Sequence, residues 1–172
     1  MENKIMTPAI KGLIIGLVLI AVSVVMQLLI TDLEKLQKLN WVSFLLIVAG
    51  IVWACFSYSK DMNGNVTFGN VFAHGFKTTA VLTIIMLAFT VLSFTILFPE
   101  MKDKAIELAR TQMEAKGELS EAQIDQAVSM TEKFFMPFAI GGVLIAYLVM
   151  GAIASLIGAA IAKKNPNPQP FQ

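Results

Sequence analysis

The sequence contains a single histidine, His74, and a single cysteine, Cys55. A protein zinc site needs three or four ligands from His, Cys and carboxylate side chains placed together, and these two residues lie in different segments. One cysteine also excludes an intrachain disulfide. We therefore predict no metal-binding residue and no cofactor.

Charged residues make up only 15% of the chain and are absent from four long runs. The runs are 12–31, 39–59, 78–99 and 134–162, with 20, 21, 22 and 29 residues respectively. A bilayer core of about 30 Å is crossed by a helix of about 20 apolar residues, and a helix satisfies every backbone polar group in lipid. The predicted fold is an all-α membrane protein with four transmembrane helices over these ranges.

Polar residues are concentrated between the third and fourth runs, where 100–133 carries eight of the twelve acidic and five of the thirteen basic residues. Gly117 is expected to end one helix, and Ser120 with Gln123 has the spacing of a capping box that begins another. We predict an amphipathic helical hairpin inserted between helices 3 and 4. The tail 165–172 contains three prolines and is expected to be disordered.

Residues 68–77 precede the third run and place Phe68, Phe72 and Phe76 on one helical face. An apolar face next to a span is typical of a helix that lies in the membrane interface. We predict an interfacial segment here that bends into the third transmembrane helix.

Small residues recur at helical spacing in the first and fourth runs. Gly12 and Gly16 form a GxxxG pattern, and Gly151, Ser155 and Ala159 form a longer stripe of the same kind. Such stripes allow helices to approach closely in lipid. We expect these five residues to pack helices within one chain, with homodimerisation as the alternative.

Three polar residues are candidates for a functional site: Gln27 in the first run, and His74 and Lys77 just before the third. The favoured explanation is structural, with an amide bonded to a neighbouring helix and a lysine reaching the headgroups. The alternative is a proton or anion relay for His74 and Lys77, and a substrate path lined by Gln27.

Sequence motifs of common enzyme and nucleotide-binding sites are absent. There is no Walker-type glycine loop, GxSxG or HExxH, and none of the four runs contains a carboxylate of the kind that couples ions to transport. We predict no catalytic residue and expect that the chain is not an enzyme. The net charge of +1 argues against a nucleic-acid partner.

With four spans, both termini face the same side of the membrane. That side carries six basic residues and the other side seven, so the count alone does not decide orientation. The six adjoin span ends and have few acidic neighbours, whereas those of 100–133 are diluted by carboxylates. We expect a bacterial inner (cytoplasmic) membrane protein with cytoplasmic termini.

A pattern of Gly64, Phe68, Gly69, Phe72 and Gly75 leads into the third run. Together with four spans and a polar helical insertion before the fourth, it resembles a bacterial inner-membrane family known as domain of unknown function 4199. The resemblance covers essentially the whole chain. It implies a membrane protein of unassigned function and brings no catalytic or binding residues.

Three functions compete on this basis. The leading hypothesis is a non-enzymatic accessory protein that contacts a membrane-protein partner, or a second copy, through the hairpin and the small-residue helix faces. The second is a small transporter or channel subunit, which would work as an oligomer. A membrane enzyme ranks third, because catalysis needs reactive groups beside a pocket.

Overall fold

A computed structural model describes residues 6–30 and 33–165, without the side chains of 33, 34, 36–38 and 40. Its elements are α1 (Pro8–Leu29), α2 (Leu33–Asp61), α3 (Phe68–Leu92), α4 (Glu100–Lys116), α5 (Glu121–Lys133) and α6 (Phe135–Ile161), with a π-helical turn at Ser93–Leu97. Apart from Asn165, the tail that we expect to be disordered lies outside the described residues.

Four helical segments are long and apolar enough to cross a membrane. They are Pro8–Leu29, Trp41–Asp61, Phe68–Leu97 and Phe135–Ile161. The predicted all-α fold with four spans is confirmed, and α4 and α5 occupy the place of the predicted hairpin.

The four spans form a bundle in which α3 contacts all three other spans. Helices α1 and α6 pack on α3, and α2 completes the bundle by contacting α1, α3 and α6. Helix α1 begins, α2 ends, α3 begins and α6 ends at one end of the bundle, which we call the terminal end. The opposite end, where α3 leads through the π-helical turn to α4 and α5, is the hairpin end.

The bundle core is apolar in its middle part. Its buried residues are Ile15, Leu19, Ile47, Ile51, Leu82, Met86, Phe89 and Ala154. Helix α3 also places three threonine side chains in the bundle core. The hydroxyls of Thr78, Thr79 and Thr83 each donate to the carbonyl oxygen four residues earlier, at 2.8–3.1 Å. Because these bonds are made within the helix, the buried hydroxyls need no partner on another helix.

The expectation of an interfacial segment at 68–77 that bends into the third span is wrong. Helix α3 runs as one helix from Phe68, with the Thr67 side chain accepting a bond from the Asn70 amide at 3.2 Å. Phe68 and Phe76 face outward, whereas His74 is buried. The segment has a second, inward face that packs in the bundle, so it continues the span.

The residues at the helix ends of the hairpin have the capping roles that the sequence predicts. Gly117 ends α4 in the left-handed region, at φ 64°, which favours glycine. Ser120 and Gln123 form the capping box of α5, the Ser120 amide donating to Gln123 Oε1 at 2.9 Å. Among the described residues of the hairpin, only Ile124 is buried.

Candidate functional site

The terminal end buries a lysine inside the bundle. Lys11, in the first turn of α1, is fully buried, and its ammonium group donates to the Ala54 carbonyl oxygen of α2 at 3.3 Å. The sequence suggested a charge flanking the first span, because the apolar run begins only at Gly12. The helix instead begins at Pro8, so Lys11 falls within the span and on its buried side.

Asp61, the last residue of α2, supplies the opposite charge. Its Oδ2 lies 3.8 Å from Lys11 Nζ and accepts a bond from the Ser57 hydroxyl at 3.4 Å. The aspartate side chain keeps 30% of its surface exposed. The ion pair therefore joins a buried cation to a carboxylate that reaches the surface of the terminal end.

His74 completes this group from α3. Its ring stacks on Tyr58 of α2, with centroids 4.2 Å apart, and the side chain is buried. Within the described part of the chain, Nε2 has no hydrogen-bond partner. We call Lys11, Tyr58, Asp61 and His74 the polar cluster.

A layer of small residues lies next to the polar cluster and packs without gaps. A Cβ added at Gly75 would lie 2.6 Å from Cys55 Sγ and 2.8 Å from Ser155 Oγ. One added at Gly158 would lie 2.8 Å from Cys55 Sγ. Cys55 is thus held between glycines of α3 and α6, and these glycines make the close contact of three helices possible.

The cluster brings an ammonium group, a carboxylate, a phenol and an imidazole together at the terminal end, and among the described residues the histidine Nε2 has no hydrogen-bond partner. Over the described ranges, no three His, Cys, Asp or Glu side chains form a group that could hold a metal ion.

The structure separates the three polar candidates proposed from the sequence. His74 joins the polar cluster, whereas Lys77 lies on the exposed side of α3 and Gln27 is half-buried near the hairpin end of α1. Lys11, Tyr58 and Asp61 were missed. Only Lys11 had a signal in the sequence: Lys11, Ile15 and Leu19 follow one buried stripe of α1, so the lysine continues an apolar face.

The five small residues lie at contacts within the chain. A Cβ at Gly12 would lie 2.9 Å from the Thr78 carbonyl oxygen, one at Gly16 would lie 3.0 Å from Ile85, and one at Gly151 would overlap Thr79. Ser155 and Ala159 are fully buried. The two stripes thus place α1 and α6 against α3.

At the hairpin end, charged residues lie on the surface. Arg110 of α4 contacts Glu114 at 2.9 Å and Asp125 of α5 at 2.6 Å. Hydrogen bonds to Glu114 and Asp125 raise the pKa of the Arg110 guanidinium above its usual value. This arginine links the two hairpin helices through solvent-exposed contacts.

The chain matches the profile of a family described as protein of unknown function (DUF4199) over residues 11–164. It therefore belongs to this family, and the resemblance seen in the sequence is confirmed. Comparisons with curated proteins and with solved structures give no match.

Proposed function

We propose that this member of the DUF4199 family is a non-enzymatic accessory membrane protein that binds another membrane protein through its α4–α5 hairpin. The observation that carries the proposal is a hairpin folded by its own caps and contacts, in which about two thirds of the residues are exposed and Ile124 alone is buried among those described.

The net charge and the exposed apolar residues of the hairpin indicate the kind of partner surface that would complement it. The eight acidic and five basic residues of the hairpin give a net charge of −3, so a partner surface with a basic excess would be complementary. Leu119, in the connection between α4 and α5, and Met130, on α5, are exposed apolar side chains, 41% and 53% accessible, and would supply apolar contacts to an interface.

The small-residue stripes do not contribute to this proposal. Gly12, Gly16 and Gly151 each face a side chain or backbone atom of α3, so the surfaces first considered for a homodimer are occupied within the chain. The hairpin, by contrast, keeps most of its polar residues exposed.

Site-specific photo-crosslinking in cells tests the proposal. A crosslinker replaces Gln112 or Met130 on the hairpin, and a matched control replaces the outward-facing Ile145 of α6, which is 66% exposed. We expect the two hairpin positions to capture the same protein, identified by mass spectrometry, and Ile145 to capture none of it. Replacement of 100–133 by a short Gly/Ser linker should abolish the effect that the full chain has on cell growth and membrane composition.

Two results would contradict the proposal. One is equal capture from Ile145 and from the hairpin, which would indicate chance collisions. The other is a linker variant that inserts normally and supports the same cell growth and membrane composition as the full chain.

A second candidate is a transporter or channel subunit, and the polar cluster favours it. Ionisable residues buried among membrane helices are often part of an ion or proton pathway. Lys11 and His74 meet this description, and Asp61 is the partly exposed partner of Lys11. The tight layer at Cys55, Gly75 and Gly158 next to the cluster weighs against an open path through one copy.

Flux into proteoliposomes distinguishes the two candidates. Transport of protons or small ions that is lost in both Lys11→Met and His74→Ala, with normal folding, would support the second candidate. A Gln27→Leu variant is the matched control, since Gln27 lies near the hairpin end. Absence of flux over a broad panel would reject it.

We also propose that the chain lies in a bacterial inner membrane with cytoplasmic termini. Basic residues with few acidic neighbours at the terminal end support this orientation. Labelling with a membrane-impermeant maleimide tests it, because native Cys55 is buried and gives little background. In intact cells with a permeabilised outer membrane, Ser120→Cys should react and Lys163→Cys should not; the reverse pattern would overturn the orientation.

A further inference from the structure

The terminal end has a strongly one-sided charge. Among its described residues, Lys60, Lys77, Lys163 and Lys164 lie outside the polar cluster, whereas the one acidic side chain, Asp61, is paired with Lys11. Within the described part of the chain, the Lys60, Lys77 and Lys163 side chains are exposed and make neither an ion pair nor a hydrogen bond. Three cations are therefore available to an external anion.

The segment that carries Lys163 and Lys164 is held in place. The Ser59 hydroxyl donates to the Lys163 carbonyl oxygen, and the Asn165 amide donates to the Gly64 carbonyl oxygen at 2.8 Å. Lys164 Nζ bonds to the Ala160 carbonyl oxygen at 3.2 Å and lies 5.5 Å from the Phe68 ring centroid. These contacts fix the end of α6 beside the last turn of α2, where Lys60 lies.

Aromatic side chains accompany the lysines at this end. Phe68 and Phe76 are 44% and 37% exposed, and Phe72 stacks on Phe76 with centroids 5.9 Å apart. Aromatic rings combined with lysines at span ends are typical of a protein surface at the headgroup level of a membrane. An anionic leaflet attracts basic residues there.

We propose that the terminal end binds the phosphate headgroups of anionic phospholipids through Lys60, Lys77 and Lys163, with the Phe68–Phe72–Phe76 face inserted beside them. The position of the cations favours lipid over an acidic protein. They lie on α2, on α3 and just after α6, at the same end of three spans, which is where the headgroups of one leaflet meet the protein. This inference does not depend on the function of the hairpin.

Lipid retention by the purified full chain tests the proposal. The protein, in mild detergent, receives equal amounts of phosphatidylglycerol and phosphatidylcholine with identical acyl chains, and native mass spectrometry counts the molecules retained. Wild-type protein should retain several times more phosphatidylglycerol. Each lysine near an anionic surface adds to the electrostatic attraction between protein and lipid. The double variant Lys60→Gln/Lys163→Gln should therefore weaken phosphatidylglycerol binding roughly tenfold.

A matched variant controls for net charge. Lys104→Gln/Lys116→Gln removes two exposed lysines from the hairpin and should leave phosphatidylglycerol retention within twofold of wild type. Lys77→Gln, on a third element, should give an intermediate loss. Equal retention of the two lipids by wild-type protein would overturn the proposal, and so would an equal loss in the hairpin variant.

Discussion

The two ends of the bundle are stabilised in different ways. At the terminal end, bonds join segments far apart in sequence, such as Lys11 to Ala54 and Ser59 to Lys163, and buried polar groups lie between helices. At the hairpin end, bonds are mostly local, such as Ser120 to Gln123, and charged groups face solvent. Changes at the terminal end should therefore affect the whole bundle, whereas changes in the hairpin should remain local.

The largest effect is expected at the helix contacts that support the terminal end. Gly151→Leu would force a side chain into Thr79, whose hydroxyl is bonded to the Gly75 carbonyl oxygen, and should destabilise the bundle by about 3 kcal/mol. Gly142→Leu on the same helix is the control, since a Cβ there meets no atom within 4 Å. Thermal unfolding in detergent measures both, and equal midpoints would contradict the assigned contact.

The second effect concerns the ion pair. Asp61→Asn leaves the Lys11 charge buried without its carboxylate, which should destabilise the chain by about 2 kcal/mol, less than for a fully buried pair because Asp61 is partly exposed. Lys11→Met/Asp61→Asn should recover at least half of the loss. Asp103→Asn, an exposed hairpin residue, serves as the control. A double variant no more stable than Asp61→Asn would show that the two residues are not coupled.

A smaller and local effect is expected from the hairpin cap. Ser120→Ala removes the side chain that begins α5 and should reduce the stability of that helix by about 1 kcal/mol. Hydrogen exchange should quicken across 121–133 and stay unchanged in α1 and α3, while Ser129→Ala, an exposed position in the same helix, should have no such effect. Faster exchange throughout the bundle would mean that the hairpin is not independent.

The smallest effect is expected at Arg110. Its contacts with Glu114 and Asp125 are exposed, and water and salt screen such pairs strongly. Arg110→Gln should leave the unfolding midpoint of the bundle unchanged at high salt and lower it only slightly at low salt. A clear loss at both salt concentrations would show that the hairpin supports the bundle.

Sequence patterns predicted the spans and the hairpin because both depend on local signals. Charge-free runs indicate where a helix can face lipid, and Gly117 and Ser120 determine backbone geometry close to their own positions. Helix ends were less predictable, since an apolar run does not show where a cap will form. The start of α1 at Pro8 and the extension of α2 to Asp61 placed charges inside helices that we expected to be charge-free.

The polar cluster was predictable only in part. His74 attracted attention as the single histidine, but its stacking on Tyr58 depends on how α2 and α3 meet, which one sequence does not specify. Lys11 resembled an ordinary flanking charge. Only its helical spacing from Ile15 and Leu19 indicated that Lys11 lies on the buried side of α1. Its pairing with Asp61 of α2 depends on the tertiary fold.

Burial of Lys11 has a consequence for biogenesis. When α1 reaches the membrane during synthesis, its carbonyl partner Ala54 lies 43 positions further along the chain and Asp61 follows later still. A lysine without partners is unfavourable inside the hydrocarbon, so the nascent α1 should first hold Lys11 at the lipid–water boundary. Arrival of α2 then allows the helix to settle inward, which makes the pairing of the first two spans an early step in assembly.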